Sequence, residues 1–278
     1  MTTSDTTAST SPAAPATSTA ADDSPIRVER EGATITITLA RPKKRNALSI
    51  EMMTALRDAI CEAGRSDALA VVIAAEGPVF SAGHNFGDMA GADLTATRAL
   101  FVLCTEMMDA IQTIPQPVVA KVHALATAAG CQLVASCDLA IAADSAGFAL
   151  PGGKGGLFCT TPLVAVSRNI SRKRALELAL TGDVIDAATA ADWGLINRAV
   201  PDGELDEAVA DLVARVTRGS AYGRSMGKRA FYSQIGLDQR QAYDIAIESM
   251  AAGATTLDAQ EGFSAFFDKR HPEFTSRP

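Results

Sequence analysis

Apolar and polar residues alternate from Ile26 to Leu39, first as IRVERE and then as ATITITL, with Gly32 between the runs. A period of two predicts strands, and the glycine between them predicts a β-hairpin. From Ile50 to Arg65 the period lengthens, so that Met53, Leu56 and Ile60 share one helical face behind Ser49 as N-cap. Ala70 to Ala75 (AVVIAA) is apolar throughout and reads as a buried strand, and Leu94 to Ile114 predicts a long helix ended by Pro115 and Pro117. The stretch Val118 to Asp138 (VVAKVHALATAAGCQLVASCD) begins β-branched, passes through small residues and becomes amphipathic. It predicts a strand, a tight turn and a helix beginning near Gly130. Leu139 to Ala142 gives another strand, Phe148 and Ala149 start the next extended piece, and from Pro162 onward the pattern is almost wholly helical, with apolar faces (Leu176, Leu178, Leu180; Leu205, Val209, Leu212, Val216) that a single chain is expected to cover only partly. Strands alternating with helices imply right-handed crossovers and an α/β fold.

Two turns in this pattern are built from small residues: Phe80-Ser81-Ala82-Gly83-His84 and the segment around Ala128-Ala129-Gly130. Such turns leave backbone N–H groups uncovered, and the helix after the second adds unsatisfied N–H groups with a partial positive charge. Together they suit an anion, or a carbonyl oxygen that becomes one during reaction. A turn kept small only for packing explains the same residues, and the pattern alone does not separate the two readings.

Composition narrows the function classes. Lys and Arg total 25 against 32 Asp and Glu, a net charge of −7, which argues against an extended nucleic-acid surface. The five cysteines are odd in number and include no CxxC pair, so a disulfide framework is not expected. No zinc-type ligand spacing occurs, and no apolar run approaches the ~20 residues of a membrane span. Residues 1–25 are Thr, Ser, Ala and Pro with three Asp and no branched aliphatic or aromatic side chain, and are expected to be disordered. Lacking Arg and an apolar h-region, this tail matches neither a signal nor a transit peptide, and a cytoplasmic location is expected. The expected organisation is a tail (1–25), an α/β core (26–215) and a C-terminal helical region (216–278).

The chain resembles the enoyl-CoA hydratase/isomerase (crotonase) superfamily. The resemblance rests on Arg41-Pro42 with Asn46-Ala47-Leu48, Phe80 to His84, Ala128 to Leu133 leading to Cys137-Asp138, and Phe148 to Pro151. It continues through Arg174 to Leu178, Thr181-Gly182, Trp193-Gly194-Leu195 and Val200-Pro201, and closes on Glu261 to Phe266 with Lys269-Arg270. It implies a crotonase-like fold, a ββα superhelix with a C-terminal helical trimerisation region, and homotrimers or dimers of trimers. It implies a lyase or isomerase acting on an acyl-CoA thioester, with coenzyme A arriving as part of the substrate and no permanently bound cofactor or metal. The thioester enolate would be held by the N–H groups of His84 and Ala129. The coenzyme would lie near Lys43, Lys44, Arg45 and Ala47, the acyl group along Ala82, Gly83, Gly130, Pro151 and Gly152, with Phe266 and Lys269 contributing from the last helix.

The chain departs from that pattern where hydration is concerned. The two glutamates that hold and deprotonate water in hydratases fall at Gln132 and Gly152 here. A carboxamide has no proton-accepting pKa in the working range and glycine has no side chain. General acid–base help is worth about 10²–10⁴ per group, so two-carboxylate hydration is not expected. An acyl-CoA-binding protein without catalysis is the alternative. Gln132, in place of a Glu, can still orient a water or substrate by hydrogen bonds and stays a catalytic candidate with His84 and Ala129. Lys154, Cys159, Thr160, Thr161 and Asp88 are candidate replacements, and the His84 side chain either faces the cavity or points outward. His123 is expected to be a satisfied histidine of the interior.

Overall fold

The computed structural model describes residues 24–276. Apart from Ser24 and Pro25, the expected disordered tail lies outside these residues. The Pro25 carbonyl accepts from the Ala40 N–H at 2.9 Å. Nine strands and ten α-helices follow among the described residues. The strands are β1 (Ile26–Glu31), β2 (Thr34–Leu39), β3 (Ala70–Ala75), β4 (Val118–Val122), β5 (Ala126–Thr127), β6 (Leu139–Ala143), β7 (Gly147–Ala149), β8 (Ile185–Asp186) and β9 (Arg198–Val200). The helices are α1 (Ile50–Arg65), α2 (Leu94–Thr113), α3 (Ala129–Ser136), α4 (Thr160–Val166), α5 (Arg172–Thr181) and α6 (Ala187–Trp193). They continue as α7 (Leu205–Val216), α8 (Ala221–Gln234), α9 (Gln239–Ala254) and α10 (Leu257–Asp268).

A six-stranded sheet runs in the order β1-β2-β3-β4-β6-β9, antiparallel at the first pair and parallel beyond it. A second sheet, β5-β7-β8, is smaller. The strand alternation read from the sequence assigns the faces. Ile35, Ile37 and Leu39 of β2, with Val71 and Ile73 of β3, enter the main core under α1, α2 and α3. Ala70 and Val72, one residue out of phase, meet Leu205, Val209, Leu212 and Val213 of α7 on the opposite face. The Ser49 hydroxyl caps α1 by accepting from the Met52 N–H, and Asp93 caps α2 by accepting from the Ala96 N–H.

Two sequence expectations need correction. The chain after Pro162 is not almost wholly helical, because β9 pairs with β6 and completes the large sheet. Three residues are too few to establish a period, so this strand has no sequence signature. The apolar stripe Leu205, Val209 and Leu212 does not wait for another subunit, since the sheet of the same chain covers it. The third helix starts at Ala129, in keeping with the expected start near Gly130.

The C-terminal helices are fastened to the core through a buried ion pair. From α8, the Lys228 ammonium donates to the carbonyls of Ile111 and Gln116 at 2.8 and 2.7 Å and to Asp138 Oδ2 at 2.6 Å. Tyr232 donates to Asp138 Oδ1 at 2.7 Å, and the Val118 N–H donates to Oδ2 at 2.7 Å. Burial pulls the Lys228 pKa down while Asp138 holds it up, and burial beside the same carboxylate raises that of Tyr232. At the far end, buried Asp258 accepts from Ser220, Thr275 and Ser276, tying residues 275–276 to the start of α8.

Candidate active site

The two small-residue turns meet. The first, Phe80 to His84, is anchored from the 41–48 loop. The Ala82 N–H donates to the Arg45 carbonyl at 3.0 Å, the Leu48 N–H to the Gly83 carbonyl at 2.8 Å, and Ser81 Oγ to the Asn46 carbonyl at 2.8 Å. Asn46 is fully buried with φ 47° and acts as a staple. Its Oδ1 accepts from the Arg41 N–H at 2.9 Å, and its Nδ2 donates to the carbonyls of Glu76 and Val79 at 2.7 and 3.1 Å. The second turn is pinned by the Ala128 N–H donating to the Ala149 carbonyl and the Thr127 N–H donating to the Ser81 carbonyl, both at 2.9 Å.

Ala128 adopts φ 49° and ψ −119°, a region that L residues rarely occupy. A conformation costing on the order of 1–3 kcal/mol persists only where the surroundings enforce it, and such residues cluster at functional sites. Here it redirects the chain from β5 into α3. The fit between the turns is close. A Cβ on Gly83 (φ +84°) would lie 2.9 Å from Ala128 Cβ, 3.0 Å from the Thr127 carbonyl oxygen and 3.1 Å from the Ala129 nitrogen. A Cβ on Gly130 would lie 2.5 Å from the Ser81 carbonyl oxygen. Glycine is required at both positions because two backbones touch there.

Among the described residues, the N–H groups of His84 and Ala129 donate no hydrogen bond within the chain. Both residues line a pocket of about 570 Å³ whose wall is largely apolar, with Phe86, Met89, Phe101, Leu157, Phe158 and Pro162. That volume falls within the ~300–1,000 Å³ range of small-molecule sites. Two uncovered N–H groups, one at a helix N-terminus, on an apolar cavity can polarise a carbonyl oxygen without competition from water.

The His84 ring faces inward and packs edge-on against Phe101, with centroids 5.3 Å apart and planes at 79°. Neither ring nitrogen has a hydrogen-bond partner, and both are shielded from solvent. Burial lowers its pKa from the ordinary 6.5, opposed more weakly by the Leu48 carbonyl and the Asp88 charge. Its neutral form therefore stabilises the fold fully above pH 6.5, and that contribution is lost as pH falls through the lower folded-state value. Measured by urea unfolding, His84→Gln is expected to lose less stability than the parent between pH 6.5 and pH 5.

At the second missing carboxylate, the fold has closed the space. A Cβ on Gly152 would sit 2.1 Å from the Leu157 carbonyl oxygen and 2.7 Å from Cys159 Sγ, which accepts from the Gly152 N–H at 3.3 Å. Gly152→Glu is expected to disturb this loop rather than restore hydration, with enoyl-CoA hydration staying at the parent level in a continuous absorbance assay. Gln132 is buried in the first turns of α3 with its Oε1 unpartnered, and is not among the pocket-lining residues.

Of the residues expected at the site, the pocket gathers Ala82, His84, Ala129, Pro151 and Gly152, while Gly83 and Gly130 hold the turns together behind it. Lys43, Lys44 and Arg45 are exposed on the anchoring loop, with Ala47 half-buried beside them. Phe266 and Lys269 do not line the pocket of this chain, because α10 packs on α8 and α9 instead. Three candidate replacement groups prove to be occupied. Lys154 pairs with Asp183 at 2.7 Å, Asp88 accepts from the Ile50 N–H and Asn85, and burial pushes the Cys159 thiol up. Thr160 and Thr161 do line the pocket. His123 bonds the Gly77 carbonyl at 2.8 Å and so is satisfied, but it is half-buried just after β4 rather than in the interior. The sequence reading missed Phe86, Met89 and Phe101, whose only signal is their position after the first turn and on the inward face of α2.

A family model described as enoyl-CoA hydratase/isomerase matches residues 29–277. The chain belongs to the enoyl-CoA hydratase/isomerase family. Its fold is the crotonase fold of that family, whose members act on acyl-CoA substrates. Rat enoyl-CoA hydratase domain-containing protein 3, mitochondrial, is 44% identical over 85% of this chain and 79% of its own length. A crystal structure of a Mycobacterium smegmatis enoyl-CoA hydratase superposes with TM-score 0.87 at 43% identity, covering 90% of this chain and 98% of that one. The crystal structure of human enoyl-CoA hydratase domain-containing protein 3 gives 0.86 at 40% identity, covering 90% and 99%. The cytoplasmic expectation does not stand, because the rat, mouse and human relatives are all named mitochondrial. A tail without Arg or an apolar core lacks two familiar address signals, which is too little to fix a compartment.

Proposed function

We propose that the protein binds an acyl-CoA thioester and stabilises its enolate between the N–H groups of His84 and Ala129, without adding water by the two-carboxylate route. The observation that carries this reading is the contact of Gly83 with Thr127–Ala129, which brings two uncovered N–H groups from separate loops onto one apolar wall. The exposed cations Lys43, Lys44 and Arg45 sit on the loop that holds the first turn, with no ion pair among the described residues, and suit the coenzyme phosphates. Ala47, Ala82, Gly83 and Gly130 form the backbone approach to the thioester, and Pro151 and Gly152 bound its acyl end.

The helical segment 216–278 is proposed as the assembly region of a homotrimer or dimer of trimers, attached to a core of 26–215. Tyr243, Ile247 and Met250 on one face of α9, with Phe263, Phe266 and Phe267 on α10, leave large apolar side chains exposed in the single chain. Phe266 and Lys269 would meet coenzyme from a neighbouring subunit. Sedimentation equilibrium at micromolar concentration is expected to return a trimer or hexamer.

The loss of both carboxylate positions favours one alternative, a CoA-thioester-binding protein without turnover. Calorimetric titration with butyryl-CoA, alongside turnover assays on crotonyl-CoA and longer enoyl and β-hydroxyacyl thioesters, tests both. Absence of binding sinks both readings, and binding with no conversion of any thioester leaves the alternative.

A further inference from the structure

We propose that the His84 imidazole is the proton carrier of this pocket, taking the α-proton of a bound acyl thioester and returning it to carbon. The inference rests on the reading of the pocket as an acyl-CoA site and names the chemistry done there. It starts from a mismatch. A site that stabilises an enolate needs a group to take and return a proton, and among the described residues no carboxylate lines this pocket. Its ionisable residues are His84 and Cys159. Burial holds the Cys159 thiol protonated, and its sulfur already accepts from the Gly152 N–H. The space a residue-152 carboxylate would need is filled by the Leu157 carbonyl and that same sulfur.

His84 differs from Cys159 in every respect that matters. The residue lines the pocket and its ring rests edge-on against Phe101, another lining residue, while neither nitrogen has a partner. An unpartnered buried polar group carries a free-energy penalty, so a native structure that keeps one invites an explanation. Both nitrogens are buried, in a residue that lines the pocket. The torsion that turns an imidazole is broad, and only the weak pull of the Leu48 carbonyl has to be given up to bring a nitrogen to the surface. The groups around it leave the ring neutral and basic. Asp88 spends its carboxylate on the Ile50 N–H and Asn85, α2 contributes the uncharged Phe101, and the 41–48 loop contributes the Leu48 carbonyl.

The residue would then serve the same substrate twice, because its N–H polarises the thioester carbonyl from which its side chain takes a neighbouring proton. In the forward step, the α C–H bond breaks and its proton goes to the unprotonated ring nitrogen. The electron pair forms the Cα–C(O) double bond, and the carbonyl π electrons move to the oxygen held by the two N–H groups. In the return step, the imidazolium gives a proton to the α-carbon, which exchanges hydrogen with solvent. With a β,γ-unsaturated acyl group, delivery to the γ-carbon moves the double bond. Neither route consumes water or needs a second acid. The substrate class is thus an acyl thioester with an acidic α-hydrogen, and the reaction class is enolisation or double-bond migration.

The test follows hydrogen exchange at Cα of butyryl-CoA in D2O by NMR, beside calorimetric binding of the same thioester. The parent protein is expected to exchange the α-hydrogens at a rate that rises with pH and levels off above an apparent pKa below 6.5. His84→Gln keeps the backbone N–H and is expected to bind within a few-fold of the parent while exchange falls about 10²-fold or more, the scale of a lost general base. His84→Asn, with thermal unfolding of both variants, guards against loss of fold. Binding without exchange in the parent, or undiminished exchange in folded His84→Gln, overturns the proton-carrier role alone. No binding by the parent overturns the acyl-CoA reading beneath it.

Discussion

Gly83→Ala is expected to lower any turnover of an acyl-CoA thioester by about 10²–10³-fold, the effect of losing one donor to a developing oxyanion. Two costs act together. An L residue at φ +84° is strained by roughly 1–2 kcal/mol. The new methyl also comes to 2.9 Å of Ala128 Cβ and within 3.1 Å of the Ala129 nitrogen, so the turns must part by several tenths of an ångström. The fold can absorb this, because Asn46, Ser81 and the parallel strands hold each turn from behind. Unfolding should stay cooperative, with a stability loss of about 1–3 kcal/mol typical of overpacking. The alignment of two N–H groups tolerates much less. Steady-state rates together with urea unfolding separate the effects, and a variant that keeps its rate while losing stability would show that the contact serves packing only.

The fold was legible where a period could establish itself. The alternation over Ile26–Leu39, the helical face of Ile50–Arg65 and the apolar run Ala70–Ala75 return the boundaries of β1, β2, α1 and β3. It was illegible where pairing, not pattern, makes the element, as in β9 and the two-residue strands β5 and β8. Helix amphipathicity told which residues of α7 are buried but not what buries them. The stripe fits a sheet face of its own chain as well as it fits a partner.

The site divides along similar lines. Small residues in Phe80–His84 and Ala128–Gly130 pointed to uncovered backbone, and the two turns approach closely at Gly83 and Gly130. A missing carboxylate at residue 152 is plain in the sequence, but that Cys159 and Leu157 occupy its space depends on how the loop closes. The orientation of His84 depends on Phe101, which arrives from α2 and has no sequence link to the turn. The two turns that meet at the pocket were readable, whereas the orientation of the His84 ring needed three dimensions.

Lys228→Met is expected to cost about 3–5 kcal/mol, because it removes one partner of a buried ion pair and leaves the other charge in place. The methionine keeps most of the lysine stem, so the loss is electrostatic and polar rather than a cavity. Three acceptors lose their donor at once: the Ile111 and Gln116 carbonyls and Asp138 Oδ2. Asp138 retains the Val118 N–H and Tyr232 hydroxyl, which soften the penalty without neutralising the charge. Those acceptors lie at the end of α2, ahead of β4 and after α3, so one ammonium joins three core segments to α8. Adding Asp138→Asn to Lys228→Met should recover part of the loss, since a neutral carboxamide can still accept from the Val118 N–H. Urea unfolding of the two single variants and the double variant supplies the cycle. A double variant as unstable as the two single losses added together would mean that Lys228 acts through the two carbonyls and not through Asp138.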